Sequence, residues 1–173
     1  HRDLHSFPTR RSSDLQASSN ADWKKLLDGA IQSQRLRLIE FPVAGNAGQL
    51  LHLECPLRLK ASEDGEWLAA GSFMPMASRL AMTSELDLAA ARLALQRIAA
   101  GASAVAVNLS GESIIDAGFR ARLYALIGSR KDLANRLWLE VSEVGVFQHF
   151  AAFQAFCDRS EEHTSELQSR QVI

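Results

Sequence analysis

Cysteine is nearly absent from this chain: Cys55 and Cys157 are the two in 173 residues, and they form neither a C-x-x-C pair nor a zinc spacing. They read as small apolar side chains in a reducing compartment, which sets aside a disulfide-stapled scaffold. Histidine is scarce too. His1, His5 and His163 lie in the terminal segments, leaving His52 and His149, too few for a histidine metal site. A net charge of −1 provides no electrostatic footprint for nucleic acid or an anionic membrane. No apolar run approaches the ~20 residues that a membrane span needs, and no secretory signal is readable. Gly45 and Gly48 lack the helix start and spacing of a phosphate-binding loop. No repeat of solenoid period is present.

What is present is an ordinary globular composition, 47% hydrophobic and 23% charged, between two unusual ends. The run from Arg159 to Ser169 resembles an in-frame translation of a short-read library adapter, and Ser6 to Leu15 resembles the opposite adapter. Residues 1–15 and 159–173 are therefore set apart as adapter-derived. Residues 16–158 remain as the domain, long enough for one hydrophobic core.

Within that domain, Trp23, Leu26, Leu27 and Ile31 predict a helix over about 22–34, capped by Asp22 or Asn20. Arg35 to Phe41 reads as a strand stopped by Pro42, and Ala44 to Gly48 as a turn. Leu51 to Leu59 alternates as one strand. Leu51, Leu53, Cys55, Leu57 and Leu59 take one face; His52, Glu54, Pro56 and Arg58 take the other, which must meet solvent or line a site. A short helical turn is expected around Phe73-Met74-Pro75-Met76. Thr83 or Ser84 caps a long helix to about Ala100, with Glu85 and Asp87 in its first turn and Gly101 after its end. Ala104 to Leu109 is a strand buried on both faces. A helix follows over 112–127, then a strand over 136–142. A last helix carries Phe147, Phe150, Phe153 and Cys157 on one face. Helices alternating with strands imply a parallel sheet covered by helices, and a doubly wound sheet fits about as well as a barrel.

Glu54, Asn108 and Glu140 each sit late in a predicted strand. In a parallel α/β barrel that is where functional side chains gather, and oxygen donors suit a hard divalent cation. Alone, each such residue is more often a solvated or loop-capping group. Together, the words Leu53-Glu54-Cys55-Pro56-Leu57-Arg58, Val107-Asn108-Leu109-Ser110 and Leu139-Glu140-Val141-Ser142-Glu143 resemble the first half of an EAL domain, the cyclic di-GMP phosphodiesterase and receptor family. Phe73 to Ala77 is similar to that family's F-I-P-x-A turn. The resemblance implies an α/β fold, a truncated EAL-type (β/α) barrel with about its first four strands and their helices. It implies metal ligation by Glu54, Asn108 and Glu140, and a dinucleotide contact from Arg58, whose alternative is a surface ion pair. The implied cofactor is Mg²⁺ or Mn²⁺ in the intact family, not stably held by this chain.

Departures from the pattern matter as much. Cys55 and Pro56 replace the signature Ala and Leu, Phe41 replaces a Gln, and Ser78 replaces a Glu. The family's later Asp-Asp pair, Lys and further Glu have no counterpart here. Such erosion resembles the non-catalytic receptors of the LapD type. The expected function is thus a fragment of a degenerate EAL domain in a cyclic di-GMP signalling protein, a receptor module rather than a catalyst. Two alternatives stand beside it: part of an active metal-dependent phosphodiesterase, and an interaction scaffold that binds no nucleotide. The expected partners are cyclic di-GMP, other domains of a cytoplasmic or inner-membrane-anchored parent, and a second EAL domain, with no nucleic acid. An unpaired edge on the last strand predicts marginal stability for the isolated chain.

Overall fold

The computed structural model describes residues 19–142, 146–147 and 149–163. Its first helix, α1 (Asn20–Gln32), is capped by Ser19 rather than by either expected residue. The Ser19 hydroxyl accepts from Asp22 N–H at 3.2 Å, and the Asp22 carboxylate accepts from Ser19 N–H at 3.0 Å. This reciprocal box satisfies two donors that a helix start would otherwise leave open.

The strand expected over 35–41 is two strands, β1 (Leu36–Leu38) and β2 (Phe41–Ala44), and the second runs through Pro42. Proline is tolerated there because β2 is the edge of its sheet, where a missing N–H costs no ladder bond. The single strand expected over 51–59 is likewise two. β3 (Leu50–Glu54) and β4 (Leu57–Lys60) belong to different sheets. Cys55 N–H still donates to Ala106 O at 2.9 Å, and Pro56, with no N–H to give, marks the crossing. The expected faces change accordingly: His52 is buried and Leu51 exposed, whereas Leu57 and Leu59 are buried as expected.

β4 lies between β1 and β5 (Trp67–Ala69), antiparallel to both. β5 is too short for a period-two pattern to register in the sequence. The larger sheet has the order β2-β3-β6-β7, with β6 (Val105–Leu109) and β7 (Leu137–Val141) parallel to β3, and β2 antiparallel to it. Among the described residues this sheet stays open beyond β7, so no closed barrel forms.

The helices after β5 are α2 (Ala70–Arg79), α3 (Thr83–Ala99), α4 (Gly111–Ile115), α5 (Ala117–Gly128), α6 (Lys131–Ala134) and α7 (Phe150–His163). Met82, not Thr83 or Ser84, is the N-cap of α3 and contributes no side-chain bond; Gly101, at φ +109°, follows its end as expected. The helix expected over 112–127 breaks at Asp116, whose carboxylate accepts from Gly118 N–H at 2.8 Å and caps α5. A short acid that bonds its own backbone ends one helix and starts another. The last helix also turns a different face inward. Phe147 and Phe150 are 74% and 61% exposed, while Phe153, Phe156 and Cys157 pack on the core and Phe156 stacks on Tyr124.

Val105, Val107 and Leu109 share one core with Leu86, Ala94, Leu95 and Ile98 of α3, and Ala106 is buried on the opposite face. Each such aliphatic side chain contributes roughly 1.5–3 kcal/mol by leaving water. A one-residue slip of β6 would turn all of them outward. The register of this central strand is therefore strongly fixed, and with it the direction of Asn108.

Candidate functional site

Three of the four residues singled out from the sequence come together. Asn108 on β6 and Glu140 on β7 are direct parallel partners, and Glu54 at the end of β3 pairs with Ala106, two residues before Asn108. Residues two apart on a strand share a face, as do in-register residues on parallel strands. Glu54, Asn108 and Glu140 thus stand on one face, at three adjacent strand ends. Burial raises the Glu140 pKa above the ordinary carboxylate value, the negative charge of Glu54 raises it further, and His52 acts the other way.

Two carboxylates that repel, with an amide oxygen beside them, match a hard divalent cation in kind. A cation there would turn the repulsion into attraction. Among the described residues, no three His, Cys, Asp or Glu side chains stand close enough together to hold an ion as they are placed. Asn108 would add an amide oxygen on the same face, beside the exposed Glu54 and the half-exposed Glu140. The fit is that of a partial donor set.

Arg58 is not on this sheet. It lies in β4, opposite Arg37 on one side and Ala69 on the other, and its guanidinium donates to Leu57 O at 3.2 Å. Like charges opposite one another on adjacent strands repel. Arg37 avoids some of this by lying over the Trp67 ring, 4.1 Å from its centroid. The alternative expected for Arg58, a surface carboxylate partner, is not what its hydrogen bond reaches.

Two residues carry more than the sequence suggested. His52 is buried beside the carboxylates: its ring packs against Trp138 at 4.3 Å between centroids, tilted by 34°, and Nε2 lies 3.8 Å from Glu140 Oε1. Its position two residues before Glu54, on the face expected to meet solvent or line a site, was the available signal. Asp87 reads in sequence as a helix-start acid, yet it is buried. Its Oδ2 accepts from Ser110 N–H at 2.7 Å, Ser110 Oγ at 2.6 Å and Ser113 Oγ at 2.7 Å. Burial still outweighs these bonds and raises its pKa. The network ties α3 to the turn that follows Asn108. The signal was Asp87 itself, placed between the apolar Leu86 and Leu88.

Beside Asn108 opens a cleft of about 240 Å³, lined mainly by Cys55, Pro56, Leu57, Met74 and Leu109, with Asn108 and Asp87 among its polar groups. That is below the roughly 300–1,000 Å³ of a typical small-molecule site, so it suits part of a ligand rather than a whole dinucleotide. Cys55 offers no nucleophile there. Burial, aided by Glu40, pushes its thiol up to about 11.

A family model described as "EAL domain" matches residues 25–168. The Escherichia coli (strain K12) protein "Cyclic di-GMP phosphodiesterase PdeF" is 30% identical over 122 residues, 68% of this chain and 16% of PdeF. Vibrio cholerae LapD, solved as an S helix-GGDEF-EAL chain bound to c-di-GMP, superposes with a TM-score of 0.77 at 19% identity, covering 84% of this chain and 36% of LapD. The Xanthomonas citri FimX EAL domain in complex with c-di-GMP gives 0.70 at 24% identity, covering 83% of this chain and 58% of FimX's. The chain thus spans only part of each of these relatives. Among its described residues no helix is long and apolar enough to cross a membrane. With its three-word signature, its parallel strand ends and a family match over most of its length, the chain belongs to the EAL domain family.

Proposed function

We propose that this chain is the N-terminal part of a degenerate EAL domain that senses cyclic di-GMP rather than hydrolysing it. The observation that carries the reading is the convergence of Glu54, Asn108 and Glu140 on one face, with the chain crossing to another sheet directly after Glu54. The first half supports a nucleotide site of the kind that the LapD and FimX structures hold with c-di-GMP. The substitution of Cys55-Pro56 for the signature Ala and Leu, at the crossing directly after Glu54, supports a receptor, since metal-assisted hydrolysis needs cations held there to polarise the phosphate and generate a hydroxide. In this reading Glu54, Asn108 and Glu140 face the cation, Arg58 contacts a phosphodiester oxygen pair, and the apolar cleft beside Asn108 takes one part of the ligand. Residues 1–15 and 159–173 are adapter-derived; a genomic sequence that encodes them in place would overturn that assignment.

Titration calorimetry of the chain with cyclic di-GMP, joined to chromatography for linear pGpG in Mg²⁺ and Mn²⁺, tests the proposal. Heat of binding without product is the expected result. Product formation would establish the phosphodiesterase reading suggested by the name of PdeF. No heat at micromolar ligand and no product would leave the interaction scaffold.

A further inference from the structure

The small sheet β1-β4-β5 has two unlike faces. Leu36, Leu57 and Leu59 go to the core. On the other face the register sets Arg58 between Arg37 and Ala69, and Lys60 across from Trp67. Three cations and a tryptophan thus stand together with no acid among them. The Arg37 guanidinium lies 4.1 Å from the centre of the Trp67 ring, and Lys60 Nζ 5.9 Å from it. Elsewhere Arg97 and Arg122 hold Glu40 and Glu85, whereas among the described residues Arg37, Arg58 and Lys60 form no ion pair. Lys60 reaches the Glu63 carbonyl and Arg58 that of Leu57, so most of the Arg58 guanidinium donors stay unspent. Like charges opposite one another on neighbouring strands repel. An anion laid across Arg37 and Arg58 relieves that repulsion.

We propose that this face docks an extended acidic segment of a partner protein, its carboxylates at alternate residues set against the Arg37–Arg58 pair and Lys60. In an extended chain, residues two apart stand about 6.6–6.8 Å from each other on one side, the same repeat at which Lys60 follows Arg58 along β4. Glu63, Asp64 and Glu66 border the face in the loop before β5, and the chain carries a net charge of −1. Those acids oppose a long polyanion such as nucleic acid or an anionic bilayer, which meets the wider surface, whereas a short segment meets only the cations. Arg37 occupies a face of the Trp67 ring, which favours a partner that needs charge over one that needs a stacking platform. Exposed ion pairs are individually weak, so the contact is a transient one. Docking here is independent of the nucleotide reading, which leaves Arg37 and Lys60 unused, and those two residues carry the test.

A fluorescein-labelled peptide of alternating Glu and Ser, titrated against the full 173-residue chain by fluorescence anisotropy, provides the test. A Kd of about 100 µM or tighter is expected in dilute buffer. It should weaken at least about tenfold in about 0.3 M NaCl, where exposed charges are screened, and by about the same factor in the Arg37→Gln, Lys60→Gln double variant. A peptide of alternating Gln and Ser is expected not to bind. Carbodiimide coupling, which condenses a peptide carboxylate with a lysine amine, then locates the contact by mass spectrometry. The expected amide forms at Lys60, and this measurement needs wild type alone, so a variant that fails to fold does not remove the test. No binding of the acidic peptide, or coupling at Lys24, Lys25 or Lys131 instead of Lys60, overturns the docking face. Tighter binding of phosphatidylserine vesicles or of a thymidine oligonucleotide, lost in the double variant, overturns the choice of an acidic segment.

Discussion

Asp87 and Ser110 are joined twice, through the backbone N–H of Ser110 at 2.7 Å and its hydroxyl at 2.6 Å, both to the same carboxylate oxygen. With Ser113 at 2.7 Å, this buried oxygen organises the turn that leaves β6 just after Asn108. Asp87→Ala strands three donors and is expected to cost about 1–3 kcal/mol, measured as a lower urea midpoint. Asp87→Asn keeps an acceptor and removes a buried charge, so its midpoint should fall less. The pH dependence follows from the raised pKa. The folded chain holds the Asp87 proton more tightly than the unfolded chain does, so the associated stability is full below the ordinary value of 3.8 and is lost as pH rises through the raised one. The advantage of wild type over Asp87→Asn should shrink from acid toward neutral pH. A midpoint difference that is flat with pH would show that the carboxyl titrates normally.

Arg58 and Arg37 face each other across β1 and β4 but are differently engaged, since Arg37 covers Trp67. Arg58→Ala should weaken cyclic di-GMP binding by about 1.5–3 kcal/mol, the scale of a charged hydrogen bond. Arg37→Ala should leave affinity within about twofold, because exposed cation–π contacts contribute only about 0.5–1 kcal/mol and theirs is to the fold. Equal losses from both, read by calorimetry, would move the ligand contact to the sheet face as a whole.

Cys55 is buried and its thiol titrates near 11. At pH 8 it should therefore resist iodoacetamide in the native chain, with half-buried Cys157 modified first, and should react in urea. Peptide mass spectrometry after timed alkylation distinguishes the two sites. Rapid native labelling of Cys55 would mean that the β3–β4 crossing opens readily.

Phe156 and Phe150 test the orientation of α7. Phe156 is 4% exposed and stacked on Tyr124, whose hydroxyl also donates to Phe156 O at 3.0 Å. Phe156→Ala should cost about 3–5 kcal/mol, enough to unfold a marginal chain. Phe150→Ala, at an exposed position, should stay within about 0.5 kcal/mol. Thermal melts followed by circular dichroism give both values.

The sequence by itself determined the parts that depend on local pattern. A short apolar run such as Ala104 to Leu109, following a glycine and rich in Val, reads as a covered strand, Gly101 suits a helix end, and three strand-end oxygens in family wording named the EAL domain. Proline and short polar residues marked where the simple pattern failed, although their consequences depended on neighbours. Pro42 sits inside a strand because β2 is an edge, and Pro56 divides one apparent strand between two sheets. Asp116 ends one helix and caps the next. Which face of α7 is buried was settled by the position of Tyr124, distant in sequence. His52 was read only as a member of the polar strand face and Asp87 as a dipole-compensating acid, because their value lies in partners remote along the chain. Only the tertiary fold could set His52 against Trp138 and Glu140, or Asp87 against Ser110 and Ser113. Periodicity reports which residues leave water; the polar groups they meet inside depend on how strands and helices from separate parts of the chain come into register.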